Sequence, residues 1–128
     1  MVGYHDGSSV VVTGYVRDIR EYMSRATVSI CPMRVGSGIK NKVLESMAMG
    51  RAVVATGLAC DGVPGAENGR NIFIEDTASG FADSVIRLIR DGNLRERTGR
   101  NAREFVTKNY TWRKTAEKIE GIYREALR

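Results

Sequence analysis

At 128 residues the chain is one domain, long enough to bury a real core. Its 42% hydrophobic and 27% charged residues exclude a disordered chain, and no apolar run approaches the roughly 20 residues of a transmembrane helix. The net charge of +5 points to acidic partners: nucleotide phosphate, an anionic membrane surface or nucleic acid.

Met1 to Ser9 is polar and contains glycine, unlike a secretory signal. Ser9-Val10-Val11-Val12-Thr13 is a β-branched run ending at Gly14 and predicts a buried strand. Asp18 to Arg25 predicts a short helix with Ile19, Tyr22 and Met23 on one face. Thr27 to Cys31 reads as the next strand, buried beside the first and stopped by Pro32. Ile39 to Met49 is a helix with Val43, Leu44, Met47 and Ala48 as its buried stripe, ended by Gly50. Ala52 to Thr56 is a third strand, followed by a glycine-rich loop from Gly57 to Gly69. Asn71 to Glu75 is a fourth strand. Thr77 caps a helix carrying Phe81, Val85, Leu88 and Ile89, Asn93 to Lys108 is helical, and Tyr110-Thr111-Trp112 introduces a last amphipathic helix through Ile119, Ile122, Tyr123 and Leu127. Two cysteines, Cys31 at a strand end and Cys60 in a loop, form neither a disulfide framework nor a metal cluster and suit a reducing compartment.

Short apolar strands alternating with helices predict an α/β fold, a Rossmann-like parallel sheet of about four strands with right-handed crossovers. Ligands of such sheets bind beyond the carboxyl ends of the strands. Gly14-Tyr15-Val16, Arg34 to Lys42 and Gly57 to Val63 each follow an expected strand, so they are expected to meet at one edge.

The most informative of these is Arg34 to Glu45. From Tyr22 to Leu44 there is no Asp or Glu, yet Arg25, Arg34, Lys40 and Lys42 lie within that gap. Lysines in the first turn of a helix oppose the positive end of its dipole, which favours anions. A glycine-rich entry and free backbone N–H groups make this a phosphate site, with Lys40, read as a partly exposed cation, and Lys42 beside it. Glu45 lies one turn further on, and helical side chains tilt back toward the N-terminus. Its carboxylate can accept from two vicinal hydroxyls, as on a ribose. The competing reading is a solvated basic helix start with Glu45 paired to Asn41 or Lys42. Gly36-Ser37-Gly38 lacks the third glycine of a dinucleotide fingerprint, and no P-loop Lys-Ser/Thr pair is present.

The segments Val11 to Val16, Ala26 to Pro32, Gly36 to Gly50, Val53 to Thr56, Gly69 to Ile74, Leu94 to Gly99 and Tyr110 to Trp112 together resemble one family. It is the C-terminal, donor-binding domain of retaining GT-B glycosyltransferases, the group 1 family that includes sucrose synthases and many bacterial glycan and lipopolysaccharide sugar transferases. The resemblance covers nearly the whole chain and is weak only after Gly57. It implies that Glu45 is the second of the family's paired glutamates, the one that binds the nucleotide ribose. The first falls on Ser37, so the acid that contacts the donor sugar is missing. It also implies phosphate contacts from the backbone of Gly38, Ile39 and Lys40, and base contacts from the Tyr15-Val16 turn. No catalytic residue is assigned.

The resemblance further implies an N-terminal acceptor domain, in cis or in trans. Residues 1–128 are then a single, N-terminally truncated donor domain, inactive in transfer alone. The expected function is donor binding in a retaining, metal-independent transferase that moves a hexose-type sugar from a UDP- or GDP-type nucleotide sugar to a glycan or lipid acceptor. No further cofactor, metal or nucleic acid is expected. The location is cytoplasmic, with a peripheral contact at the inner membrane surface in the whole enzyme. A non-catalytic nucleotide- or partner-binding module is the alternative. A nucleic-acid binder ranks last, since only Tyr15 and Tyr22 lie near the basic cluster. A sugar-nucleotide epimerase would have to rely on His5, the only histidine, in a polar surface stretch.

Overall fold

The computed structural model describes residues 2–128. A 3₁₀ turn at Val2–Tyr4 is followed by helix α1 (Ile19–Arg25), strand β1 (Ser29–Cys31), α2 (Asn41–Ala48), β2 (Val53–Ala55), α3 (Gly57–Cys60), β3 (Phe73–Ile74), α4 (Ala78–Arg90), α5 (Gly92–Asn109) and α6 (Trp112–Ala126). The strands form one parallel sheet in the order β1-β2-β3, with Ser29 opposite Val53 and Val54 opposite Phe73.

Burial on both faces of β2 explains why its sequence is continuously apolar. Side chains alternate along a strand. Val53 and Ala55 join Cys31, Val43, Met47, Ala102 and Val106 on the face covered by α2 and α5. Ala52 and Val54 join Phe73, Leu88 and Leu94 on the face covered by α4. Five helix starts, among them those of α4, α5 and α6, are fixed by local side-chain acceptors. Thr77 Oγ1 accepts from Gly80 N at 3.1 Å, Asp91 Oδ1 from Leu94 N at 2.9 Å and Thr111 Oγ1 from Lys114 N at 3.2 Å.

The sheet has three strands, not four. Ser9 to Thr13 forms no strand, and Val10, Val11 and Val12 are exposed. Its backbone groups are engaged locally. Asp6 Oδ1 accepts from Ser8 N and Val10 N, His5 Nδ1 accepts from Val12 N, and Val10 O accepts from the amides of Asp6 and Gly7. Side-chain acceptors of this kind compete with a ladder, and here no helix covers the valines to favour one. β1 is therefore an edge strand. It is shorter than the expected Thr27 to Cys31, and of its residues only Cys31 is buried; Ile30 is 54% exposed.

Ile89 is 53% exposed, because the buried stripe of α4 runs through Leu88 instead. The helix expected from Ile39 starts at Asn41, and the Gly57 to Gly69 loop contains α3. Helix α6 is amphipathic as expected but buries no residue. Trp112, Ile122, Tyr123 and Leu127 are all exposed.

Candidate functional site

The chain leaves β1 at Pro32, which has no N–H to continue a ladder, and runs through an exposed loop to α2. Gly36 and Gly38 have φ of +133° and +74°, conformations that other residues rarely adopt. Among the described residues, no backbone N–H from Arg34 to Lys42 donates a hydrogen bond to another protein group. Lys40 is the N-cap of α2 and supplies no side-chain cap, and the first turn holds no acidic residue. Free donors at a helix entry make this a candidate anion cradle.

The cations around it differ in kind. Arg34 and Lys42 are exposed, whereas Lys40 is buried and its Nζ donates to the Ser37 carbonyl. The expectation of a partly exposed Lys40 is thus corrected. Its ammonium folds back to clasp the loop, and a Cβ on Gly36 would stand 3.2 Å from it. Ser37 and Ile39 are exposed on the loop.

The loop after β2 meets this one. A Cβ built on Gly62 would lie 2.6 Å from the Ile39 Cα and 3.2 Å from the Gly38 carbonyl oxygen. Thr56 Oγ1 donates to the Met33 carbonyl at 2.7 Å, tying the end of β2 to the loop after β1. Asp76 Oδ1 accepts from Gly57 N at 2.8 Å and ties in the end of β3. From behind, Tyr110 Oη donates to Pro64 O at 2.9 Å while its ring packs edge-on against Phe105.

Two concavities flank the cradle. One, about 480 Å³, lies beyond the ends of all three strands and includes Arg34, Thr56, Glu75, Asp76 and Phe81. The other, about 340 Å³, runs between α1 and α2 and includes Tyr22, Cys31, Lys42 and Glu45. Glu45 also borders a neighbouring groove of about 390 Å³ with Arg17 and Asp18. The expected residues are thus divided, with Arg34 over the sheet and Lys42 with Glu45 toward α1. Tyr15 is 92% exposed, Val16 is half-buried, and neither lines these cavities; the strand expected to hold their turn is absent.

Glu75 and Asp76 escaped the sequence reading. Their signal was available, as two acids at the carboxyl end of an expected strand, where the ligand edge lies. Cys31 and Cys60 are free thiols. Burial pushes the Cys60 thiol up to about 11, aided by Cys31, Asp61 and Asp76. Burial also raises Cys31, opposed by the charges of Lys42 and Lys40. Neither is poised as a nucleophile. Among the described residues no group of three His, Cys, Asp or Glu converges as metal ligands would. No described helix is long and apolar enough to cross a membrane.

Comparison with known proteins places the chain among glycosyltransferases. The chain is 32% identical over 121 residues to alpha-maltose-1-phosphate synthase of Mycobacterium tuberculosis, covering 86% of this chain and 30% of that protein. It is 32% identical over 129 residues to alpha-D-kanosaminyltransferase of Streptomyces kanamyceticus, covering 91% and 31%. To an uncharacterized glycosyltransferase of Methanocaldococcus jannaschii it is 31% identical over 91 residues, covering 69% and 23%. The chain therefore spans a third or less of the length of these relatives. The family description that matches residues 3–91 is glycosyl transferases group 1, and the chain belongs to that family.

Proposed function

We propose that residues 1–128 are part of the donor-binding domain of a retaining GT-B glycosyltransferase, which transfers a hexose-type sugar from a UDP- or GDP-type nucleotide sugar to a glycan or lipid acceptor. The observation that carries this reading is the row of backbone N–H groups from Arg34 to Lys42 with no protein acceptor, opened by two left-handed glycines and followed one turn later by Glu45. The diphosphate sits on these amides with Arg34 and Lys42 beside it, and Glu45 accepts from both ribose hydroxyls. In transfer the amides and cations stabilise charge building on the departing diphosphate. Lys40 maintains the loop through Ser37. In this reading Tyr15 and Val16 contact the base.

The acceptor wall comes from a further domain, in cis or in trans. Two features support such a partner: the exposed apolar face of α6, and relatives more than three times as long as the matched region. Transfer needs both reactants held in register, so the isolated chain binds donor without turning it over. The whole enzyme works in the cytoplasm, peripheral to the inner membrane surface.

An NMR titration of the chain with UDP and GDP tests the reading. The expected result is saturable shifts at Gly38 to Lys42 and at Glu45. Shifts confined to the Asn93 to Lys108 segment would overturn it. A non-catalytic module gives the same binding but no transfer when an acceptor domain is supplied.

A further inference from the structure

A further concavity, about 530 Å³, opens at the opposite end of the sheet, where the chain enters β1 and β2. Its wall contains Thr27, Ala52 and the Met49-Gly50 turn, together with Arg25, Arg51, Arg95, Arg100 and Arg103; Glu96 is the one carboxylate in it. Helix α5 reaches this turn because Gly99 has no side chain. A Cβ there would lie 2.2 Å from the Gly50 carbonyl oxygen. The arginines of α5 are thus held against the turn by backbone packing.

Arg51 is the informative residue. Its Nε is buried with no hydrogen-bond partner, and one Nη reaches only the Ala26 carbonyl at 3.4 Å. A buried charged donor without an acceptor is costly. Arg95 donates to the carbonyls of Leu88 and Ile89 at the end of α4. Among the described residues, Arg25, Arg51, Arg100 and Arg103 form no ion pair. The carboxyl ends of α1, α2 and α4 offset about half a charge each. With Glu96 counted, an excess of about two to three positive charges remains.

We propose that this concavity is a second anion site, shaped for a compact, multiply charged phosphate group and separate from the cradle at the start of α2. The buried, orphaned Arg51 Nε favours a group that enters over a flat polyanion. The phosphate belongs either to a free small molecule or to a lipid headgroup. An occupant would contact the carboxyl end of α2, whose amino end borders the cradle about 12 Å away across eight residues. That places an effector within reach of the donor site.

The test is an NMR titration of the full chain with inorganic pyrophosphate, following the amides of Gly50, Arg51 and Gly99. It is paired with co-sedimentation on phosphatidylglycerol–phosphatidylcholine vesicles. Saturable shifts at those amides are expected, persisting in Lys42→Ala, with affinity about tenfold lower in Arg100→Gln/Arg103→Gln. Arg51→Gln should abolish them, and the double variant on the exposed wall keeps the test decisive if Arg51→Gln fails to fold. Vesicle binding lost in the double variant, without pyrophosphate binding, supports the lipid source. The absence of both pyrophosphate shifts at these amides and vesicle binding, or effects unchanged in a folded double variant, overturns the proposal. Because Lys42→Ala affects only the cradle, failure of this site is distinguishable from failure of the donor site.

Discussion

Gly62 packs so closely on Ile39 that any side chain at position 62 would collide with backbone: the first added carbon would stand 2.6 Å from the Ile39 Cα and 3.0 Å from its N. This contact joins the loop after β2 to the loop after β1 and fixes where the unbonded amides point. Gly62→Ala should therefore displace Gly38 and Ile39. The expected loss is about tenfold in nucleoside diphosphate affinity, the worth of one charge-assisted hydrogen bond. Isothermal titration calorimetry checks it, and unchanged affinity would mean that the loop position is irrelevant to binding.

Glu45, Lys42 and Lys40 should separate by salt dependence. If Glu45 accepts from both ribose hydroxyls as proposed, each bond is worth about 1.5–3 kcal/mol, so Glu45→Ala should lower affinity about tenfold or more at any salt. Lys42→Ala removes an exposed cation, an effect that should shrink between low salt and 0.5 M NaCl as screening shortens its reach. Lys40→Ala should behave like a loop defect, because the buried ammonium holds the Ser37 carbonyl. Its loss should persist at high salt. A Lys40 effect that vanished with salt would show that the clasp is unimportant.

How much of this was legible in the sequence depended on whether the deciding contact was local. The helix cap at Thr77, the helix entry at Tyr110 to Trp112 and the buried Val43 and Met47 follow from spacing and side-chain chemistry, and the chain bears them out. The free amides at the α2 entry were legible for the same reason, since glycine and helix entry are neighbours in sequence. Ser9 to Thr13 has the composition of a buried strand, but composition does not say whether anything covers it. His5 and Asp6 take its amides instead. Lys40 looked exposed because its acceptor is a main-chain oxygen, and a sequence does not reveal which carbonyls are free. Likewise the packing of Gly62 on Ile39 and Gly99 on Gly50 joins residues too far apart in sequence for any periodicity to register.

Gly99→Ala should destabilise the fold by about 1–3 kcal/mol, the usual range for overpacking a tight contact. The added carbon meets the Gly50 carbonyl, and Gly50 itself has φ of +69° and closes α2, so the turn has little room to give. A fall of about 4 °C or more in Tm is expected by calorimetry. Gly121→Ala, where nothing lies within 4 Å, should leave Tm unchanged or raise it slightly and serves as the control.

The Cys60 thiol should make stability fall in alkali. Burial, first among the causes, raises its pKa from 9.0 to about 11 in the folded chain. A group whose folded pKa lies above its unfolded value binds its proton more tightly when folded. Its stabilising contribution is fully present below pH 9 and is lost as pH rises toward 11. Urea unfolding should show a midpoint that drops across this window, and Cys60→Ala should flatten part of that drop. The remainder falls to Cys31, whose thiol burial also raises. Alkylation provides an independent check. The native thiol should react with iodoacetamide far more slowly at pH 8.5 than an unfolded control, and the gap should close toward pH 11. Equal rates at pH 8.5 would show that Cys60 is not held in its protonated form by the fold.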